Sequence, residues 1–352
     1  MNAVRRLFCL CALLALGTGL LAKPAWAQDK PLVPVKIGVV TGLITEAPLF
    51  LAKKLGYFKD EGIDAQFTDF DSATTMIAPL GVGQLDVAGG ALTGGLYNVA
   101  ARGIDVKVVA DLGSDPKGYG FQQLIVRTDL IKSGKFKGPK DMKGWTVPVT
   151  SPGTTASPLI ARYLATGGLK FDDVKKLYLP LPDQILALQN GSADATWMPE
   201  PTATMAVRSG LLTKVMGDDE IYLNQQISVL MYGQTLLANH TLGVSFMRAF
   251  LKGVRYYNDA LKDGRYAGPN GDMVVTTLTE NTRIKDPAVY RAVTPNGVNP
   301  NGHLNFASMR SDLDFYKNEK ISEPGTSVDN ISDDSFVTQA LKTLPPYKPA
   351  PK

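Results

Sequence analysis

The pattern of polar and apolar positions divides the chain into short strands alternating with helices. Val35-Lys36-Ile37-Gly38-Val39-Val40 is β-branched and stops at Thr41-Gly42, the mark of a short buried strand. Thr45 is placed to cap the helix that follows, Pro48 fits its first turn, and Gly56 is a natural stop. Further strands are expected over Ile63–Phe67, Leu85–Ala88 and Val106–Ala110, with helices over Thr74–Leu80 and Leu92–Ala101 between them. The middle of the chain repeats the alternation. Strands are expected at Leu124–Val126, Trp145–Val149, Lys175–Leu179 and Ala193–Trp197, and helices at Thr155–Thr166 and Asp183–Gln189. After the apolar run Ile227–Tyr232 the pattern turns helical, with Phe246, Phe250, Val254 and Tyr257 three and four apart on one face. Such alternation predicts an α/β fold with mostly parallel sheets flanked by helices.

One unit occurs twice. Gly83-Gln84-Leu85-Asp86-Val87-Ala88 recurs as Gly191-Ser192-Ala193-Asp194-Ala195-Thr196, each copy following a helix-like segment. Two similar α/β lobes suit closure around a small molecule better than a single preassembled catalytic pocket. If Phe121–Val126 and Ile227–Tyr232 are the crossings between lobes, the first lobe draws on both ends of the chain and the second is inserted. Only a few residues need change φ and ψ for two such strands to act as a hinge. The expected division is a leader over 1–27, the first lobe over 28–120, the second over 121–230, and the rest of the first lobe with C-terminal helices over 231–344. The proline- and lysine-rich stretch 345–352 is expected to be a disordered tail.

The leader changes the charge and redox reading. Arg5 and Arg6, the apolar run Leu7–Ala22 and Ala25-Trp26-Ala27 resemble a cleaved export signal, with Gln28 as the new start. The apolar run is shorter than the ~20 residues a membrane anchor needs. Cys9 and Cys11, the chain's 2 cysteines, leave with it. The remainder then offers neither a disulfide nor a thiol nucleophile. Removing Arg5, Arg6 and Lys23 from the 37 Lys+Arg leaves 34 against 33 Asp+Glu, so the chain is nearly neutral. No basic patch interleaved with aromatics stands out, which argues against nucleic acid.

Loops at the carboxyl ends of strands are where ligands bind in open α/β sheets. Four stand out, and they supply most of the candidate binding residues. Thr41, Leu43 and Thr45 follow the first strand, and Gly90, Ala91 and Leu92 follow the first repeat unit. Ser151, Thr154 and Thr155 precede a helix whose N-terminus favours an anionic group, although Ser151 or Thr154 is also expected to cap it. The glycines of Gly89–Gly95 suit either close ligand approach or helix–sheet packing. Trp197 either lines the pocket or packs in the core, and its place at a strand mouth favours the pocket. Glu200, between Pro199 and Pro201, is either an acceptor for a ligand donor or an exposed turn residue. Tyr119, in the glycine-rich approach to the first crossing, completes the set.

Catalytic patterns are thin. The 2 histidines, His240 and His303, lie far from these loops. No Ser/His/Asp order with an elbow, no histidine pair at metal spacing and no phosphate loop occurs. No catalytic residue, metal site or cofactor is expected.

Ala47-Pro48-Leu49, Gly56-Tyr57-Phe58-Lys59-Asp60-Glu61-Gly62-Ile63, Asp141-Met142-Lys143-Gly144 and Gly191–Trp197 with Pro199-Glu200-Pro201 occur in this order. Asn301-Gly302-His303-Leu304-Asn305, with Leu313–Tyr316 and Asp334–Val337, follows them. Together these segments resemble the nitrate/taurine/alkanesulfonate class of ABC-importer solute-binding proteins. The resemblance covers nearly the whole chain after the leader. It implies a two-lobe type II periplasmic binding protein, monomeric, that closes on one solute and docks on a permease served by an ATPase, meeting the membrane only through that permease. The solute implied is a small organic anion: a sulfonate, carboxylate or aromatic acid. An aminopyrimidine-like heterocycle held by Glu200 is the second choice, and a periplasmic sensor subunit the third. Thiamine-pyrimidine synthases share the fold, but they need a histidine donor, a lysine-bound pyridoxal phosphate and a cysteine-rich motif that this chain lacks near its loops.

Overall fold

The computed structural model describes residues 31–350, so the leader lies outside the described residues. From Leu32 onward the chain forms one compact unit. Its first sheet has five strands in the order β2-β1-β3-β10-β4. These are β1 Val33–Val39, β2 Ile63–Asp69, β3 Val87–Ala91, β4 Lys107–Ser114 and β10 Gln226–Tyr232. β1 runs parallel to β2 and β3, whereas β10 is antiparallel to both neighbours. β10 is buried at all seven positions, which is why its sequence is mostly apolar, broken only by Gln226 and Ser228, rather than an alternation.

The second lobe carries β5 Gln122–Arg127 between β8 Ala195–Pro199 and β9 Leu212–Gly217, antiparallel to both. β6 Thr146–Val149 pairs in parallel with β7 Lys175–Tyr178. The Asp194 N–H donates to the Thr146 carbonyl at 2.9 Å and brings β6 beside β8. The strand order of this lobe, β7-β6-β8-β5-β9, therefore repeats that of the first.

The repeated sequence unit explains the match. Gly83 and Gly191 both end a helix in the left-handed region, at φ 74° and 83°, where a side chain would be strained. Three residues on, each aspartate binds the first strand of its lobe twice. Asp86 Oδ2 accepts from Lys36 N at 2.8 Å while Asp86 N donates to the Lys36 carbonyl at 2.9 Å. Asp194 Oδ2 accepts from Thr146 N at 2.9 Å, and its own N–H returns the bond. The carbonyls of Asp86 and Asp194 then accept from Gly233 and Arg127, at the ends of the two antiparallel strands.

The chain leaves the first sheet through 115–121 and returns through 218–225. The sequence placed the crossings on Phe121–Val126 and Ile227–Tyr232. These segments belong to strands of the two sheets, because their apolar side chains are buried there. β10 enters the first sheet at Gln226, ahead of the boundary expected at residue 230.

The 19-residue helix His240–Asn258 buries Phe246, Phe250, Val254 and Tyr257 completely, as their spacing requires. It packs against the helix Ala47–Lys54. A Cβ on Gly253 would collide with the Pro48 carbonyl, so glycine sets the approach of the two helices. The stretch 345–350 is not a loose tail. Arg255 donates to the Pro345 carbonyl at 2.7 Å, and Asp259 Oδ1 accepts from the Tyr347 hydroxyl and the Ala350 N–H at 2.7 and 3.0 Å.

Candidate functional site: the gap between the lobes

The loop after β1 carries two buried polar side chains that have no hydrogen-bond partner among the described residues, Thr45 and Glu46. Thr45 does not cap the helix Ala47–Lys54; Glu46 stands at the cap position, and its side chain makes no cap bond either. Glu46 is fully buried beside Leu49, Leu112 and Gly89, and a Cβ on Gly89 would overlap its Oε2. Burial pushes the Glu46 carboxyl up to about 8. A Cβ on Gly113 would lie 3.3 Å from both Thr45 Cγ2 and Ser228 Cβ, so both side chains pack against Gly113, and the hydroxyl of each lacks a partner among the described residues.

The other residues expected on this side divide by role. Thr41 is tied to the end of β2, its N–H donating to Asp69 Oδ1 at 3.0 Å. Leu43 is half-buried against both cores of the first lobe. Gly90 serves packing, since a Cβ there would meet Ala73 at 2.6 Å. Ala91 is half-buried opposite Ser228 in the ladder. Leu92 is a core side chain whose N–H donates to the Ile227 carbonyl at 3.0 Å.

Across the gap the loop Thr150–Ser157 meets the first lobe, and Gly94 N donates to the Gly153 carbonyl at 2.8 Å. Ser151 is half-buried. The 11-residue helix Ala156–Thr166 starts after Thr155, and no side chain caps it. The expected cap by Ser151 or Thr154 is absent: Thr155 stands at the cap position, with helical angles of φ −60° and ψ −22° in place of the extended ones a capping residue adopts. The Thr154 hydroxyl is buried and has no partner. The loop backbone is held from the first lobe and the second crossing: the Thr154 carbonyl accepts from Tyr316 at 3.1 Å, and the Thr155 carbonyl from Gln225 Nε2 at 2.9 Å. Gln225 Nε2 also donates to Asp312 at 3.0 Å, and burial pushes that carboxyl up to about 7.

Three expectations are corrected here. Trp197 is a core side chain, 3% exposed, with its ring edge-on to Tyr163 at 5.7 Å, so no open face is offered for stacking. Its indole N–H still lacks an acceptor. Glu200 is buried but committed within the protein. It accepts from Thr204 N at 2.9 Å and Thr204 Oγ1 at 3.0 Å, and pairs with Lys214. Tyr119 lies on the first crossing, beside a groove of about 340 Å³ shared with Lys262 and Gly264 and away from the strand-end loops.

Sequence reasoning passed over Glu46, Ser228, Gln225 and Asp312. Glu46 adjoins Thr45 in a loop already singled out, and a carboxylate directly before an apolar helix was the available signal. Nothing local marks Ser228 or Asp312, which reach the gap only through β10 and the helix Phe306–Asn318. The loops 41–46, 89–95, 150–157 and 197–201 contain no Lys, Arg or His. These loops themselves offer an anion backbone N–H groups, hydroxyls and a helix terminus.

Comparison with known proteins agrees with this architecture. A putative aliphatic sulfonates-binding protein of Escherichia coli (strain K12) is 26% identical over 144 residues. That match covers 41% of this chain and 42% of the relative, so this chain spans less than half of its length. The periplasmic nitrate-binding protein NrtA from Synechocystis PCC 6803 superposes with a TM-score of 0.72 at 15% identity, over 89% of each chain. The periplasmic aliphatic sulphonate binding protein SsuA from Escherichia coli gives 0.67 at 19% identity, over 85% of this chain and 91% of its own. Both place the two-domain periplasmic binding protein fold on the lobes described above. With residues 28–264 matching its sequence pattern, this chain belongs to the NMT1-like family.

Proposed function

We propose that this chain captures a small organic anion, a sulfonate, carboxylate or aromatic acid, between its lobes and delivers it to a membrane permease and ATPase. The observation that carries the reading is the uncapped start of the helix Ala156–Thr166, with the buried, unpartnered Thr154 hydroxyl beside it. A helix N-terminus of this kind favours negative charge. The names of the relatives, sulfonate- and nitrate-binding, support the same choice. The protein acts in the periplasm after cleavage of the leader 1–27, as a monomer, and binds rather than transforms its solute. Closure follows because the anion contacts both lobes and so binds the closed form better.

One observation favours a solute that also carries an N–H donor. With Glu200 committed to Lys214, Glu46 is the carboxyl at the strand-end loops that is still without a partner. Thermal-shift screening against alkanesulfonates, benzoates, nitrate and aminopyrimidines tests both readings. An anion at about 100 times its dissociation constant adds about 2.7 kcal/mol of stability. Stabilisation by cations alone would overturn the anion reading.

A further inference from the structure

The two crossings repeat one another: Asp115 stands seven positions before Gln122-Gln123, and Asp218 seven before Gln225-Gln226. The structure joins them. The Asp115 carbonyl, on the first crossing, accepts from Asn224 N on the second at 2.8 Å. Asp218 Oδ2, on the second, accepts from Gln122 N on the first at 3.1 Å. Asp115 Oδ1 accepts from Phe121 N at 3.2 Å, and Asp219 Oδ2 from Gly118 N at 2.7 Å. Both Asp115 and Asp218 are fully buried, and their carboxyls accept from the consecutive N–H groups of Phe121 and Gln122, which sets them side by side. Their remaining oxygens, Asp115 Oδ2 and Asp218 Oδ1, have no hydrogen-bond partner among the described residues. Gly120 allows this contact, because a Cβ there would collide with Asp219 and lie 3.0 Å from Asp218 Oδ1.

We propose that one proton, held on Asp115 and donated to Asp218, staples the two crossings and makes the hinge pH-sensitive. Two carboxylates this close in a buried site cannot both ionise without strong repulsion. The charged groups around the pair do not neutralise it. Asp219 adds negative charge, and Lys117, Lys214 and Glu220 line the open groove of about 810 Å³ outside Gly120 and Gly217. Burial and the neighbouring carboxylate hold Asp115 well above the usual aspartate range, and burial raises Asp218 as well. When the crossings part, water reaches both groups and the proton leaves. Opening of the hinge therefore releases a proton and is favoured as pH rises. The inference concerns the crossings alone and does not depend on which solute is bound.

Hydrogen exchange of the peptides covering 116–123 and 219–226, corrected for the intrinsic pH dependence, tests it in the full chain without solute. The opening constant should rise by up to tenfold per pH unit while the proton is being lost, the slope of one linked proton. Peptides from β1 and β2 should show no such slope. Asp115→Asn keeps a donor to Asp218 but has no proton to lose, so its exchange should be flat with pH. Where that variant fails to fold, Asp218→Asn serves, and its slope near neutrality should also flatten. A flat profile in the unmodified protein, or equal slopes in protein and variant, would overturn the proposal.

Discussion

Buried polar atoms without partners cost about 1–3 kcal/mol each unless something satisfies them, and those of Thr45, Glu46, Thr154 and Trp197 lie at the strand-end loops. Thr154→Val keeps the shape and removes the hydroxyl. It should weaken binding of an anionic solute about tenfold or less by calorimetry, the value of one neutral hydrogen bond. Unchanged affinity would remove Thr154 from the site. Glu46 makes a separate prediction about stability. Its folded value of about 8 lies above the ordinary 4.5, so its contribution is complete below pH 4.5 and is lost as pH rises through 8. Glu46→Gln should flatten the fall of the unfolding free energy from urea titration between pH 5 and 8, by on the order of 2 kcal/mol. Equal pH profiles for protein and variant would show that Glu46 stays ionised. That such a group stands unpartnered in this loop was only half legible: the loop is marked by its place after β1, but desolvation is not visible in a string of letters.

Between elements, the repeated aspartates are equivalent anchors. Asp86→Ala and Asp194→Ala each remove one side-chain bond to the first strand of a lobe and expose a buried strand N–H. Each should cost about 1–3 kcal/mol in chemical denaturation, and the two costs should be similar. A large cost for one and none for the other would break the equivalence of the lobes. The paired helices Ala47–Lys54 and His240–Asn258 meet where Gly253 lies under the Pro48 carbonyl. Gly253→Val should destabilise by about 1–3 kcal/mol through overpacking. The apolar spacing predicted that long helix because a 3.6-residue period is a local property. The glycine contact joins segments some two hundred residues apart and was not readable.

At the scale of the whole molecule, contacts such as Gly94–Gly153 and Arg208–Asp286 hold the lobes together across the gap. A solute that stabilises this arrangement should lower the radius of gyration in solution scattering when added at saturation. An unchanged scattering profile with a solute known to bind would exclude hinge closure. The crossings also show how position overrides local character. Asp115 and Asp218 look like ordinary loop acids until the two passages lie side by side.

Strand and helix periodicity, the Gly-x-x-Asp unit and the order of the loops follow from the chain alone, because they depend on neighbours within one or two turns. They were enough for two matching α/β lobes. Which polar groups stay free in that gap was decided by folding. Lys214 claims Glu200, Tyr163 covers Trp197, and nothing claims Glu46. A charged or aromatic side chain takes its role from the atoms that surround it, and those come from distant parts of the sequence.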